Sequence, residues 1–145
     1  MQNRTTLARP YARAAYATAK ATGKVAEWSQ ALAVAATATE NEAVRNIIQD
    51  PRLVPDAVVE RLRSIGGEYF DEHFGHFLSV LAHYDRLLLL TDIYAQFEAL
   101  RREAEARVYV HVTSAQPVSD EQSQALNDRL EKRFGRDVDV DIEVD

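Results

Sequence analysis

Apolar residues recur along this chain first at helical spacing and then at strand spacing, and the change falls near residue 107. Residues 5–22 are rich in Ala, the best helix former, and Gly23 is placed to stop them. A second helix is predicted over 25–39, where Val25, Trp28, Leu32 and Ala36 step by three and four. Asn41 suits the cap of a short third helix holding Ala43, Val44, Ile47 and Ile48, and Asp50-Pro51 closes it because the residue before proline is pushed out of the helical region. Pro55 fits the first turn of a fourth helix over 56–65, ended by Gly66-Gly67. A fifth helix is expected over 69–84 and, after a tight turn near Asp85, a sixth over 87–106.

From Arg107 the period is two: Val108, Val110 and Val112 alternate with Tyr109, His111 and Thr113. Ser119 and Gln122 have the form of a capping box, Leu126, Leu130 and Phe134 step by four, and Gly135 suits the stop. A second strand alternates Val138, Val140, Ile142 and Val144 with Asp139, Asp141, Glu143 and Asp145, and no turn signal follows it. The fold class is therefore mostly α: a six-helix bundle over 1–105, then an incomplete small α+β unit, strand-helix-strand, over 106–145. Two strands and one helix bury little apolar surface, so this second unit is expected to be disordered or to borrow a neighbour's strand.

Composition narrows the function. At 145 residues, 46% hydrophobic and 28% charged, the chain is of globular type, and it has no cysteine for disulfides or thiolate metal sites. No apolar run approaches the roughly 18–20 residues of a membrane span, since the run at 87–90 lies between Arg86 and Asp92, so membrane association is expected only through a partner. The net charge of -6 argues against nucleic acid as a partner. Residues 1–26 nevertheless carry five bases and no acid, whereas 106–145 carry five bases against nine acids, so the ends are expected to face different neighbours. A basic, acid-free start also suits a transit peptide, but here its pattern runs unbroken into the next helix.

No chemistry assembles from the motifs. His73, His76, His83 and His111 lack the further ligands that zinc requires, and solvated surface histidines are the expectation. Gly66-Gly67 lacks the flanks of a phosphate loop, so no nucleotide cofactor is predicted. Ser79 and His83 offer a nucleophile and a base without an orienting acid, which leaves a small hydrolase as the weakest reading.

Two helices are apolar over a wider arc than a core alone needs. In the first, Leu7, Tyr11, Ala14, Ala15 and Thr18 lie beside Ala8, Ala12, Tyr16 and Ala19, covering about 200°. In the fifth, Phe70, Phe74, Phe77, Leu78, Val80, Leu81, Ala82 and Tyr84 do the same, with Gly75, His76, Ser79 and His83 opposite. One such helix is what a central bundle member shows; two in a small bundle point to a groove for an amphipathic partner helix. The partner-binding candidates are Tyr11, Ala14, Ala15 and Thr18 on the first helix and Phe77, Val80, Leu81 and Tyr84 on the fifth.

Several segments together carry a family resemblance. Leu7-Ala-Arg-Pro-Tyr-Ala-Arg-Ala-Ala-Tyr16, Trp28, Phe77-Leu-Ser-Val-Leu-Ala82 and Asp85-Arg-Leu87 resemble the delta subunit of bacterial rotary ATP synthases, itself similar to the mitochondrial oligomycin-sensitivity-conferring protein. Ile93-Tyr-Ala-Gln-Phe97, Val112-Thr-Ser-Ala115 and Leu130-Glu-Lys-Arg133 extend the similarity over nearly the whole chain. The resemblance implies a non-catalytic stator adaptor. Its six-helix groove would hold the N-terminal helix of the alpha subunit, and its C-terminal part would engage the b subunits of the peripheral stalk, at the cytoplasmic face of the bacterial plasma membrane. Two departures stand out: Tyr84-Asp85 replaces an Asn-Gly type turn, and a glycine-containing hairpin region expected after the second strand is missing. An unrelated helical regulator that captures an amphipathic helix is the alternative.

Overall fold

Asn3 opens the first helix, α1 (Arg4–Ala21), by accepting the Thr6 N–H at 2.8 Å. The computed structural model describes residues 3–106, 108–135 and 138–145, and over these the protein is mostly helical with one small parallel sheet. After α1 come α2 (Val25–Glu40), α3 (Glu42–Ile48), α4 (Pro55–Gly66), α5 (Glu72–His83), α6 (Leu90–Glu105), β1 (Val108–Ser114), α7 (Asp120–Phe134) and β2 (Val138–Val144). Arg107, where the sequence period changes, lies outside the described residues. The chain divides into two compact units, Met1–Arg101 and Arg102–Asp145.

Helix ends follow the local chemistry. Gly23 takes φ +67°, so that its own N–H reaches Lys20 O at 3.2 Å while Lys24 N–H reaches Ala19 O at 2.8 Å, closing α1. Asn41 caps α3 by accepting the N–H groups of Ala43 and Val44 at 2.8 and 3.3 Å. Pro10 sits inside α1 and cannot donate to Thr6 O; both residues are on the exposed side, where solvent can serve that carbonyl. The expected fifth helix begins later than its apolar pattern suggests. A 3₁₀ turn occupies Gly67–Tyr69, and Asp71 then caps α5 by accepting the Phe74 N–H at 2.8 Å. Another 3₁₀ turn, Leu87–Leu89, likewise precedes α6.

In the first unit α1 to α6 share one core. The fully buried residues of α1 form a stripe of Ala8, Ala12, Ala15 and Ala19, and such short side chains let neighbouring helices approach closely. Larger groups fill the middle: Leu32, Phe74, Leu78, Leu81, Leu90, Ile93 and Phe97 are the most deeply buried. Tyr16 meets Phe97 edge to face at 5.6 Å, and Trp28 meets Phe74 the same way at 5.4 Å. At Gly66 the Phe70 ring approaches so closely that an added Cβ would stand 2.3 Å from its Cδ2, so only glycine fits there.

The second unit has the strand-helix-strand order read from the sequence. Over the described residues it folds within the chain as a β-α-β unit, with β1 and β2 parallel and paired from Val108↔Val138 through Val112↔Ile142 to Ser114↔Val144. α7 starts on a reciprocal capping box: Gln122 N–H donates to Ser119 Oγ at 3.2 Å, and Ser119 N–H to Gln122 Oε1 at 3.0 Å. Along β2, Val138 is buried and Val140 and Ile142 are half-buried, whereas Asp139, Asp141 and Glu143 are exposed. The two ring nitrogens of His111 each lie 3.1 Å from a carboxylate oxygen, one of Asp141 and one of Glu143.

Candidate functional site

α1 and α5 each present a second stripe besides the one they bury. On α1 it runs through Tyr11, Ala14 and Thr18, at steps of three and four, displaced around the helix from the Ala12, Ala15 and Ala19 core stripe. On α5 it runs through His73, Phe77 and Val80 at the same steps, and Tyr84 continues it one turn on. The two stripes line one concavity of about 210 Å³, to which α2 adds Trp28 and α5 adds His76. Trp28 and Phe77 are themselves nearly buried; Tyr11 and Val80 are half-buried, and Ala14 and Thr18 are exposed.

Of the eight residues proposed from sequence, five line this groove: Tyr11, Ala14, Thr18, Phe77 and Val80. Ala15 and Leu81 do not. Both are buried in the helical core, at 1% and 0% exposure, because their helices turn those positions toward the shared core and not toward solvent. Tyr84 is 65% exposed beyond the groove, at the end of α5. Trp28, His73 and His76 went unrecognised as groove residues. The helical spacing of His73 four residues before Phe77 was a usable signal for the first histidine, but nothing local to α2 indicates where Trp28 points.

The turn after α5 shapes this end of the unit. Asp85 holds φ +57°, its N–H donates to Ala82 O at 3.2 Å, and Arg86 N–H donates to Leu81 O at 2.7 Å. These two bonds close α5 in the way Gly23 and Lys24 close α1, so Asp serves where an Asn-Gly type turn was expected.

The remaining candidates assemble no chemistry. His83 is engaged locally, with Nδ1 donating to the main-chain carbonyl of Ser79 at 2.8 Å and Nε2 lying 3.8 Å from Asp56; its contact is not with the Ser79 hydroxyl. Among the described residues no group of three or more His, Asp or Glu side chains could hold a metal ion. The groove wall is mostly apolar, with the phenol, hydroxyl and imidazole groups of Tyr11, Thr18, His73 and His76 set into it. Such a surface suits another helix better than a small polar substrate.

Comparison with known proteins finds one family along nearly the whole chain. The family described as ATP synthase delta (OSCP) subunit matches residues 7–145. The chain is 38% identical over 145 residues to the ATP synthase subunit delta of Thioalkalivibrio sulfidiphilus, covering all of this chain and 82% of that protein. It is 41% identical over 139 residues to the corresponding protein of Acinetobacter baumannii, covering 96% of this chain and 78% of the other. Against that of Stenotrophomonas maltophilia the identity is 43% over 145 residues, covering all of this chain and 81% of the other.

Proposed function

The chain belongs to the ATP synthase delta (OSCP) subunit family, peripheral-stalk components of the F-type ATP synthase with a structural and not a catalytic role, and from that premise we propose that its helical unit holds an amphipathic helix of the alpha subunit. The six helices act as a bundle whose groove between α1 and α5 receives the N-terminal helix of that subunit. The observation that carries this reading is the pair of matched stripes, Tyr11-Ala14-Thr18 and His73-Phe77-Val80, facing one concavity. Small side chains on α1 admit a third backbone, and Phe77 and Trp28 offer it aromatic contact area.

The C-terminal unit engages the b subunits of the stalk. What supports a protein contact there is its small sheet: with two strands paired only to each other among the described residues, both outer edges present main-chain groups outside the ladder. Joined at both units, the protein is a stator that keeps the catalytic head from turning with the rotor during proton-driven ATP synthesis. It sits at the cytoplasmic face of the bacterial plasma membrane through the complex; among the described residues no helix is long and apolar enough to cross a membrane.

Titration of the alpha N-terminal peptide into the whole chain tests the head contact, by calorimetry and by emission of Trp28, the single tryptophan in the sequence. Saturable heat with a change in Trp28 emission is expected. Absence of both overturns the groove assignment.

A further inference from the structure

A second concavity, of about 160 Å³, opens on the other side of α5: Ala82, which lines it, is turned about 200° around that helix from Val80 of the groove. Its floor is Val58 of α4 and Leu87, each 4% exposed. Ile48 at the end of α3, Leu53 and Ala82 form the half-buried sides, and Pro55 and Asp85 stand exposed at the mouth. An apolar cavity of about 150 Å³ takes a group the size of a benzene ring, so this one admits a single bulky apolar side chain.

The mouth carries one negative charge. Asp85 is held there by the cap of α5, with φ +57° and its N–H on Ala82 O at 3.2 Å, and its carboxylate makes no ion pair among the described residues. Arg86 turns its guanidinium to the main-chain carbonyl of Asp85, at 3.4 Å. Of the other charged groups on the segments that form the wall, Asp50 and Arg52 pair with each other at 3.0 Å and Asp56 lies 3.8 Å from His83. The two most exposed large apolar side chains among the described residues flank this wall in sequence: Val54, between Leu53 and Pro55, and Tyr84, immediately before Asp85, each 65% exposed. A free small molecule in the pocket would leave both bare, whereas a chain that continues past the anchored group can cover them.

We infer that this pocket is a second docking point, separate from the groove, for a protein segment that inserts one side chain of Phe or Leu size and carries a Lys or Arg beside it for Asp85. The apolar anchor supplies the buried contact area, and the cation decides which segments fit, since an acidic residue in its place would face the Asp85 carboxylate. The site takes no residue from the groove between α1 and α5, so it stands or falls independently of the alpha-subunit reading.

The test titrates the full chain, its methyl groups observed by NMR, with four probes: the blocked peptide Leu-Phe-Lys-Leu, the same peptide with Gln for Lys, the same with Ala for Phe, and benzylammonium. The first peptide should shift the methyl signals of Ile48, Leu53, Val58 and Leu87 saturably. Gln for Lys should weaken binding by roughly twofold to fivefold, the scale of an exposed ion pair, and Ala for Phe by about tenfold or more. Asp85→Asn, which keeps a residue tolerant of the left-handed position, should erase the difference between the Lys and Gln peptides. The double variant Val54→Ser, Tyr84→Ser should weaken the first peptide by roughly threefold or more and leave benzylammonium unchanged. No saturable shift at those four residues, shifts confined to groove residues such as Val80, a Lys preference that is absent or survives Asp85→Asn, or a peptide indifferent to the Val54 and Tyr84 changes each overturns the proposal.

Discussion

The Trp28 and Phe77 rings meet edge to face, their centroids 5.5 Å apart and their planes 69° apart. The contact ties α2 to α5 and makes the floor of the groove continuous with its wall. Phe77 also neighbours Phe74, at 5.9 Å, so one ring serves both the core and the concavity. Phe77→Leu, which keeps an apolar side chain, should cost about 1 kcal/mol of stability through the lost ring contacts. Phe77→Ala should cost about 3 kcal/mol or more, since it leaves a cavity as well. Denaturant melts of the two variants check both values, and an unaltered midpoint for Phe77→Ala would contradict the packing described.

Ala14 and Ala15 are adjacent in sequence and opposite in fate, the first exposed over the groove and the second 1% exposed in the core. Ala14→Asp should leave the thermal midpoint within about 1 °C to 3 °C of the parent, because a charge at a solvated helix position costs little. Its affinity for the alpha peptide should fall by roughly a hundredfold or more, as a carboxylate would be desolvated without a partner. Ala15→Asp should abolish cooperative folding outright. Melts run beside calorimetric titrations separate the two effects.

Asp85 occupies a left-handed position that Gly23 fills at the end of α1, with φ +57° and +67° respectively. Asp tolerates that region better than most residues but less well than glycine, and its side chain is exposed. Asp85→Gly should therefore stabilise the helical unit by about 0.5 kcal/mol, and Asp85→Val should destabilise it by about 1 kcal/mol or more. Differential melts decide, and a stabilising valine would exclude the cap geometry.

Asp50, just past the end of α3, accepts hydrogen bonds from the Arg52 guanidinium, two of them at 3.0 Å, and from the Arg52 N–H at 2.9 Å. The guanidinium bonds first, and the main-chain bond next, hold its carboxyl below the ordinary carboxylate range. A carboxyl depressed on folding stabilises above its unfolded value, and the contribution is lost as pH falls through the folded one. Asp50→Asn should thus lower the melting temperature slightly at neutral and alkaline pH and match the parent in strong acid, so that part of the acid limb of a melting curve followed against pH is flattened. The effect is small, because Arg52 is 87% exposed and solvent screens the pair.

Much of this protein is local, and local features were readable. Asn41, Pro55, Gly23, Ser119 with Gln122, and Gly135 each mark a helix end through bonds made within a few residues, and the three- and four-residue and two-residue periods identify helices and strands by the geometry of a single element. The two over-wide apolar arcs were legible for the same reason. How each arc divides between core and groove was not, because that depends on where other helices pack. Ala15 and Leu81 turned inward and Ala14 and Val80 outward within the same arcs, Trp28 came in from α2 to form the floor, and His73 and His76 became groove residues only once α1 stood opposite. The parallel pairing of β1 with β2 is of the same kind: alternation shows that a strand has two faces, but the register between segments thirty residues apart, with His111 opposite Asp141, decides what it pairs with. Period is set by the bond geometry of one segment, and facing is set by contacts between segments, which only the tertiary structure supplies.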